Sequence, residues 1–461
     1  MSPPRLAWVG DDFTGASDTL ATLATGGARA LLFLDVPTAA RLAAVGPLDA
    51  VGVATAVRSR APGAMRAALA PIAAWLAASG VPLVHYKVCS TWDSAPGVGN
   101  VGEAVRTLWS PAYAPWVPLV GGQPSLGRWC VFGQLFAQAG VGGPVFRIDR
   151  HPTMSRHPVT PMDEADLAAH LAKQGLAPVA TIDWRTLEAG DAAIDAALRE
   201  AIDGAGPADA SGPCDAGGRV APPRPVLLDA MRDAHLAAIG TAFARHARGR
   251  PVLAVGASSV AQAALAAWRA AGTLRATVPT AVARAAVEPA GGPVFALAGR
   301  LSPLSARQVA HATRFERLAL DAARLAAGDA AYRDATAAAI ASRLAAGAHV
   351  LAGTSLGVEP PRAADPALAP ACGALLAAVV ARVRCARIGV IGGDTSSRAV
   401  QALAPWALGW VGRLGGSSPV VRAHADDPAV DGLELMLKGG QMGEDDVLDR
   451  LVDGDAQRSA A

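Results

Sequence analysis

Short β-rich runs alternate with long Ala/Leu helical patterns along the whole chain, and this alternation limits the fold more than any other feature. Candidate strands are Leu6–Val9, Ala30–Leu34, Ala50–Ala54, Leu83–Val88, Val179–Ile182, Val226–Asp229 and Val252–Val255, followed by Val294–Ala298, His349–Ala352 and Arg387–Ile391. A parallel connection must cross over the sheet, and the crossover is usually a helix, so the pattern argues for parallel sheets flanked by helices. The expected class is α/β in two domains, because 461 residues exceed one ordinary core. The stretch from about Ala276 to Pro293 ends in Pro289-Ala290-Gly291-Gly292-Pro293 and marks the junction, giving domains at 1–280 and 290–453. Residues 203–225 are dense in Gly, Pro, Ala and Asp without periodicity and read as a flexible insertion. The residues from about Asp453 onward read as frayed.

Composition excludes several classes. The net charge is only +2 and aromatics make up 5%, with no interleaved basic clusters, so nucleic acid is not an expected partner. Five scattered cysteines (Cys89, Cys130, Cys214, Cys372 and Cys385) form no C-x-x-C pair and suggest neither zinc nor a disulfide framework, which fits a cytoplasmic protein. The N-terminus lacks the apolar core of a signal peptide. The longest uncharged window, Ala67–Val84, is broken by Pro71, Gly80 and Pro82 and reads as helix, turn and strand, so no membrane partner is expected. Assembly as a homo-oligomer stays open.

The chemistry concentrates where strands end. Leu6–Val9 breaks at Gly10 into Asp11 and Asp12, and Thr14, Gly15 and Ser17 then open a helix. Open α/β sheets place ligands at such strand ends. One acid suffices to cap the helix, with Asp12 or Thr14 as the candidate cap, so the second carboxylate needs another reason. At the end of Leu83–Val88 and just beyond it come Lys87, Ser90, Thr91 and Asp93, one cation beside hydroxyls and a carboxylate, a set suited to a polyhydroxylated anion or to a plain solvated turn. Gly97-Val98-Gly99-Asn100-Val101-Gly102 is a literal G-x-G-x-x-G. It lies well past the strand and lacks an acid about 20 residues on, which argues against a dinucleotide site. Two prolines pin a loop around His157 and Thr160, with Asp163 as a candidate cap for a helix beginning near Glu164.

The second domain repeats strand, small-residue turn, helix. Gly299-Arg300-Leu301-Ser302-Pro303 places Ser302 as N-cap and Pro303 at the first helical position. Gly392-Gly393-Asp394-Thr395 follows Ile388–Ile391, and Gly439-Gly440-Gln441-Met442-Gly443 follows Lys438. Glycines allow close backbone approach and helix N-termini offer free N–H groups, so these turns together point to a nucleotide-phosphate site.

With these residues assembled, the chain resembles the four-carbon acid sugar kinase family. The resemblance rests on Gly10–Asp18, Lys87–Ser94, His157–Met162, Gly392–Ser396 and Leu437–Gly443, collinear over nearly the whole chain. It implies a sugar-acid-binding first domain, an ATP-binding second domain and an active site in the cleft between them. The implied reaction is phosphoryl transfer from ATP to a hydroxyl, terminal by expectation, of an acid such as threonate, erythronate or a 3-oxo-tetronate. Expected roles follow: Asp12, with Asp11 the less favoured candidate, accepts or orients the acceptor proton. Lys87, Ser90, Thr91, Asp93 and His157 hold the acid. Ser302, Gly392, Gly393, Asp394, Thr395, Gly440 and Gly443 hold ATP. Mg²⁺ is implied by ATP chemistry, without an evident cage. Gly299-Arg300-Leu301-Ser302 departs from the G-S-C-S usual there, and Arg300 either obstructs or contacts a phosphate. Two rival classes explain fewer residues: a non-catalytic sugar-acid or nucleotide sensor, and a nicotinamide-dependent oxidoreductase built on Gly97–Gly102.

Overall fold

A computed structural model describes residues 3–140, 142–157, 159–203, 224–274, 287–299, 302–356, 365–415, 418–439 and 443–455. The chain divides into two compact units, Met1–Val278 and Pro279–Ala461. Most of the insertion at 203–225, part of the junction at 276–293, Arg300 and Gly440 lie outside the described residues.

The first unit contributes β1 (Leu6–Gly10), β2 (Ala30–Phe33), β3 (Ala50–Ala54), β4 (Leu83–Lys87), β5 (Trp116–Val120), β6 (Arg128–Val131), β7 (Gln134–Gln138), β8 (Val145–Arg147), β9 (Ala180–Ile182), β10 (Arg224–Leu228) and β11 (Val252–Gly256). Eight of these form a sheet in the order β2-β3-β1-β4-β11-β5-β10-β9, every pairing parallel. β1, β2, β4, β5 and β11 are buried from end to end, which is why β1, β2, β5 and β11 read as continuous apolar runs; β4 also buries His85 and Lys87. Strands β6, β7 and β8 form a separate antiparallel sheet that the alternation pattern does not anticipate.

The register aligns the strand ends. Lys87 pairs with Gly10 on one side and Gly256 on the other, so β1, β4 and β11 finish level. The helix Phe13–Thr25 follows β1 after a two-residue bend. A Cβ at Gly10 would lie 2.4 Å from the Ala16 Cβ, so glycine lets this helix close onto the strand. Trp8 is fully buried and pairs directly with Gly52, where a Cβ would lie 2.2 Å from the indole; its Nε1 donates to the Ala16 carbonyl at 3.1 Å. Behind the sheet, the helix Pro62–Ser79 buries Met65, Leu69, Ile72 and Leu76, a helical spacing that points one face into the core. Truncating any of these to alanine would cost about 2–5 kcal/mol.

The second unit contributes β12 (Val294–Ala298), β13 (Glu316–Ala319), β14 (Val350–Gly353), β15 (Arg387–Ile391), β16 (Ala407–Leu414), β17 (Ser418–His424) and β18 (Glu434–Lys438). Their order is β13-β14-β12-β15-β18-β17-β16, parallel as far as β18 and antiparallel through β17 and β16. Ala298 pairs with Ile391 and Gly353, and Ile391 with Lys438, so four strand ends again finish level.

One cap differs from expectation. The helix assigned to begin near Glu164 under Asp163 runs instead from Leu167 to Ala172, capped by Asp166 accepting from Ala169 N. Asp163 carries an exposed ion pair with Lys173. Both acids precede an apolar run, and the chain selects the one whose helix buries Leu167 and Leu171.

Candidate active site

The bend after β1 carries both acids of the Asp11–Asp12 pair, and the structure gives them different surroundings. Asp12 is the N-cap of the helix Phe13–Thr25: Gly15 N–H donates to Asp12 Oδ1 at 2.7 Å. Its other oxygen, Oδ2, accepts from Arg58 Nη1 at 2.9 Å. Asp11 accepts from the same guanidinium side-on, Nε to Oδ2 at 2.9 Å and Nη2 to Oδ1 at 2.7 Å. The Asp11 side chain is 7% exposed and that of Asp12 28%, so a solute meets Asp12 first. Burial pushes the Asp11 carboxyl above the usual range, and the adjacent Arg58 pulls it partly back.

Lys87, at the end of β4, is buried against this pair. Its Nζ donates to the Val88 carbonyl at 2.7 Å. A Cβ on Gly15 would lie 2.5 Å from both Lys87 Nζ and Asp12 Oδ1, so ammonium and carboxylate crowd one face of the first helical turn. Beyond Lys87 the loop folds on itself: Thr91 Oγ1 donates to Asp93 Oδ1 at 2.6 Å and meets Cys89 Sγ at 2.9 Å. Thr91 and Asp93 are buried and Ser90 is half-buried. Burial beside Asp93 raises the Cys89 thiol to about 11, so it stays protonated. Ser94 is held by His170 at 2.9 Å and by Gln174 at 2.8 Å, which ties the loop to the helix Leu167–Ala172 and its C-terminal turn.

His157 turns onto its own loop. Its Nδ1 meets Thr160 N at 3.1 Å and Thr160 Oγ1 at 3.0 Å, and among the described residues no hydrogen bond joins it to Lys87, Thr91 or Asp93. Within Gly97–Gly102, Gly99 has φ +61° and a Cβ there would lie 2.6 Å from the Arg58 carbonyl; a Cβ at Gly102 would lie 2.3 Å from the Gln174 carbonyl. Gly99 and Gly102 thus pack against neighbouring backbone rather than framing a dinucleotide loop, and Gly97 has open space around it.

In the second unit, Ser302 caps the helix Pro303–His311 by accepting from Ser305 N at 3.1 Å. Gly392 sits at φ +114° before the helix Gly393–Leu403, which has no side-chain cap and leaves its first N–H groups available. Gly393 and Asp394 are exposed, and Thr395 is buried against Gly299, where a Cβ would lie 2.3 Å from Thr395 Oγ1. Gly443 has φ +89°, and its carbonyl accepts from Gln308 Nε2 at 3.0 Å. Lys438 is fully buried beneath these turns, donating to the Gly439 carbonyl at 2.9 Å and to Ser305 Oγ at 3.3 Å. Burial lowers its ammonium to about 8. No group of three metal-ligating side chains occurs among the described residues.

Sequence reasoning passed over Arg58. It lies in a 3-10 turn, Val57–Ser59, shortly after β3. The available signal was topological: β3 is the neighbour of β1, so the loop leaving β3 opens at the same sheet edge.

The family models for a sugar-binding N-terminal domain and a nucleotide-binding C-terminal domain match residues 6–264 and 295–448. A 3-oxo-isoapionate kinase from Paraburkholderia graminis is 35% identical over 95% of this chain and 92% of its own. A 3-oxo-tetronate kinase from Methylobacterium radiotolerans is 34% identical over 97% of this chain and 98% of its own. Solved structures from Salmonella typhimurium LT2 (TM-score 0.77, 24% identity, all of both chains) and Haemophilus influenzae (TM-score 0.71, 22% identity, 96% and 98% of the two chains) share the fold. The level strand ends, the acid pair and the glycine turns thus sit in a chain that matches both domain models in order, and it belongs to the four-carbon acid sugar kinase family.

Proposed function

We propose that this kinase uses ATP to phosphorylate a hydroxyl of a small 3-oxo sugar acid, of the tetronate or branched isoapionate type. The reading is carried by one observation: an accessible carboxylate, Asp12, and a buried cation, Lys87, share one face of a helical turn at the sheet edge. A small hydroxy acid has one end for each. Lys87 offers its charge to the carboxylate or the 3-oxo group, and Ser90, Thr91 and Asp93 offer partners for hydroxyls. Asp12 accepts or orients the proton of the attacking hydroxyl.

For ATP, the N–H groups of Gly393 and Asp394, at the uncapped start of the helix Gly393–Leu403, and the helix start at Ser302 provide dipoles suited to phosphate oxygens, while the Gly392 N–H is taken by the Lys438 carbonyl at 2.9 Å. Thr395 packs against the Gly392 turn, and Gly443, at φ +89°, lets the chain bend closely; Gly440, also expected to hold ATP, lies outside the described residues. Lys438, being fully buried, acts through its charge beneath the turns rather than by touching phosphate. The exposed Asp394 carboxylate complements the helix dipole, so its backbone rather than its side chain suits a phosphate. No protein cage for Mg²⁺ is assigned, and no step is routed through the ion. Transfer requires the acceptor oxygen and the γ-phosphate to come in line with water excluded, so positioning and charge supply most of the catalysis. The free cysteines among the described residues suit the reducing cytoplasm, and no described helix is long and apolar enough to cross a membrane.

The test is a coupled ADP-release screen over threonate, erythronate, 3-oxo-tetronates and 3-oxo-isoapionate. Turnover with one of these supports the reading; binding of an acid with no ADP release from any of them replaces it with a sensor.

A further inference from the structure

We infer that Arg58 is a positioning residue for phosphoryl transfer, acting through Asp12, and that Asp11 serves as its anchor rather than as the base. The inference rests on the kinase reading above.

The guanidinium is held on one side and used on the other. Nε and Nη2 are both committed to Asp11, at 2.9 and 2.7 Å, in a planar two-point contact that fixes the fork's orientation. Nη1 then reaches Asp12 Oδ2 at 2.9 Å. With Gly15 N–H on Oδ1 at 2.7 Å, the Asp12 carboxylate has one restraint on each oxygen. A carboxylate has about four lone-pair sites, so the two unclaimed ones remain for a hydroxyl. Asp11 carries as many hydrogen bonds, but its side chain is 7% exposed against 28% for Asp12, so its burial leaves it poorly placed to receive one.

The backbone under Arg58 is held as firmly. Arg58 N–H donates to the Asp11 carbonyl at 2.9 Å, and Gly99 N–H donates to the Arg60 carbonyl at 3.0 Å. Gly99 lies against the Arg58 carbonyl, where no side chain fits. The central glycine of Gly97–Gly102 therefore seats the turn that carries the guanidinium. The charged and titratable groups around this cluster are Asp11, Asp12, Lys87, Tyr86 and Cys89. Lysine at position 58 would keep the charge but not the planar fork that spans two carboxylates.

The experiment is steady-state kinetics on the full chain with the acid found by the ADP-release screen. Arg58→Ala is expected to lower kcat by about 10²-fold, the cost of a misplaced reacting group, with KM for the acid little changed. Methylguanidinium chloride is expected to restore turnover by roughly tenfold, and methylammonium chloride is not, because only the former has the fork geometry. Gly99→Ala is expected to lower kcat in the same sense. Should Arg58→Ala fail to fold, Arg58→Lys gives the same split, a lower kcat at near-constant KM. A raised KM with unchanged kcat in either variant overturns the inference, since Arg58 would then bind the acid itself. A kcat loss that no guanidinium relieves in a folded Arg58→Ala also overturns it. Absence of acid-dependent ADP release from the unsubstituted chain sinks the kinase reading and this inference with it; wild-type turnover with a KM-only effect sinks this inference alone.

Discussion

Replacing Gly15 by alanine should separate stability from activity. Gly15 is the third residue of the helix Phe13–Thr25, with ordinary helical backbone. Alanine there gains about 0.5–1 kcal/mol of intrinsic helix stability. The new Cβ would lie 2.5 Å from Asp12 Oδ1, 2.5 Å from Lys87 Nζ and 3.3 Å from Lys87 Cε, so carboxylate and ammonium must move. Weakening the Asp12 cap costs about 0.5–2 kcal/mol, which leaves a net folding penalty below about 1.5 kcal/mol. For a unit of this size that shifts Tm by at most about 5 °C. Losing one charged hydrogen bond to substrate costs about 1.5–3 kcal/mol, which is roughly 10- to 150-fold in kcat/KM. Coupled ADP release and thermal denaturation on the same preparation measure both. Wild-type kcat/KM in Gly15→Ala would refute the placement of acceptor chemistry at Asp12 and Lys87. A loss of activity that merely tracks a collapse in Tm would refute it equally.

Asp12→Asn keeps a competent N-cap, so turnover is expected to fall by about 10²-fold or more with little change in Tm; unchanged turnover reduces Asp12 to a cap. Lys87→Ala is expected to weaken acid binding by about 1.5–3 kcal/mol, read as a rise in KM, and to leave ATP affinity alone in an isothermal titration. Lys438 sits near 8 against an ordinary value of 10.5. The unfolded chain holds more protons between those values, so stability is expected to rise with pH across that window, and denaturant midpoints of Lys438→Met should lack the rise. If Lys438 lies beneath the phosphates, ATP raises its proton affinity, so ATP binding near pH 8–9 is expected to take up protons in calorimetry with buffers of differing ionisation enthalpy.

The parts of this molecule that follow from local chemistry were readable in the chain. Buried parallel strands such as Ala50–Ala54, Val294–Ala298 and Arg387–Ile391 announce themselves as apolar runs, and their bounds agree residue for residue. Ser302 before Pro303 is a helix start from its covalent chemistry alone. β5 was hidden by Pro118 within its run. The antiparallel β6–β8 and β16–β17 arise from pairings that periodicity does not encode. Arg58 was hidden for a deeper reason. Its partners are 46 and 47 residues away in sequence, and only the adjacency of β3 to β1 brings them together. Asp12 was the favoured acceptor and Asp11 the less favoured one, but nothing local in the chain shows their different surroundings, which come from Arg58 gripping Asp11 with two donors and Asp12 with one.

The contact between Trp8 and Gly52 has reach beyond its own strand pair. The indole lies flat across a residue with no side chain, and from there it tethers the first helix through Ala16. A methyl group at position 52 would lift the ring, the ring would drag the tether, and the two carboxylates on the short span between strand and helix would swing with it. A substitution on an interior strand, remote from any substrate, would therefore surface as an enzyme that folds and turns over poorly.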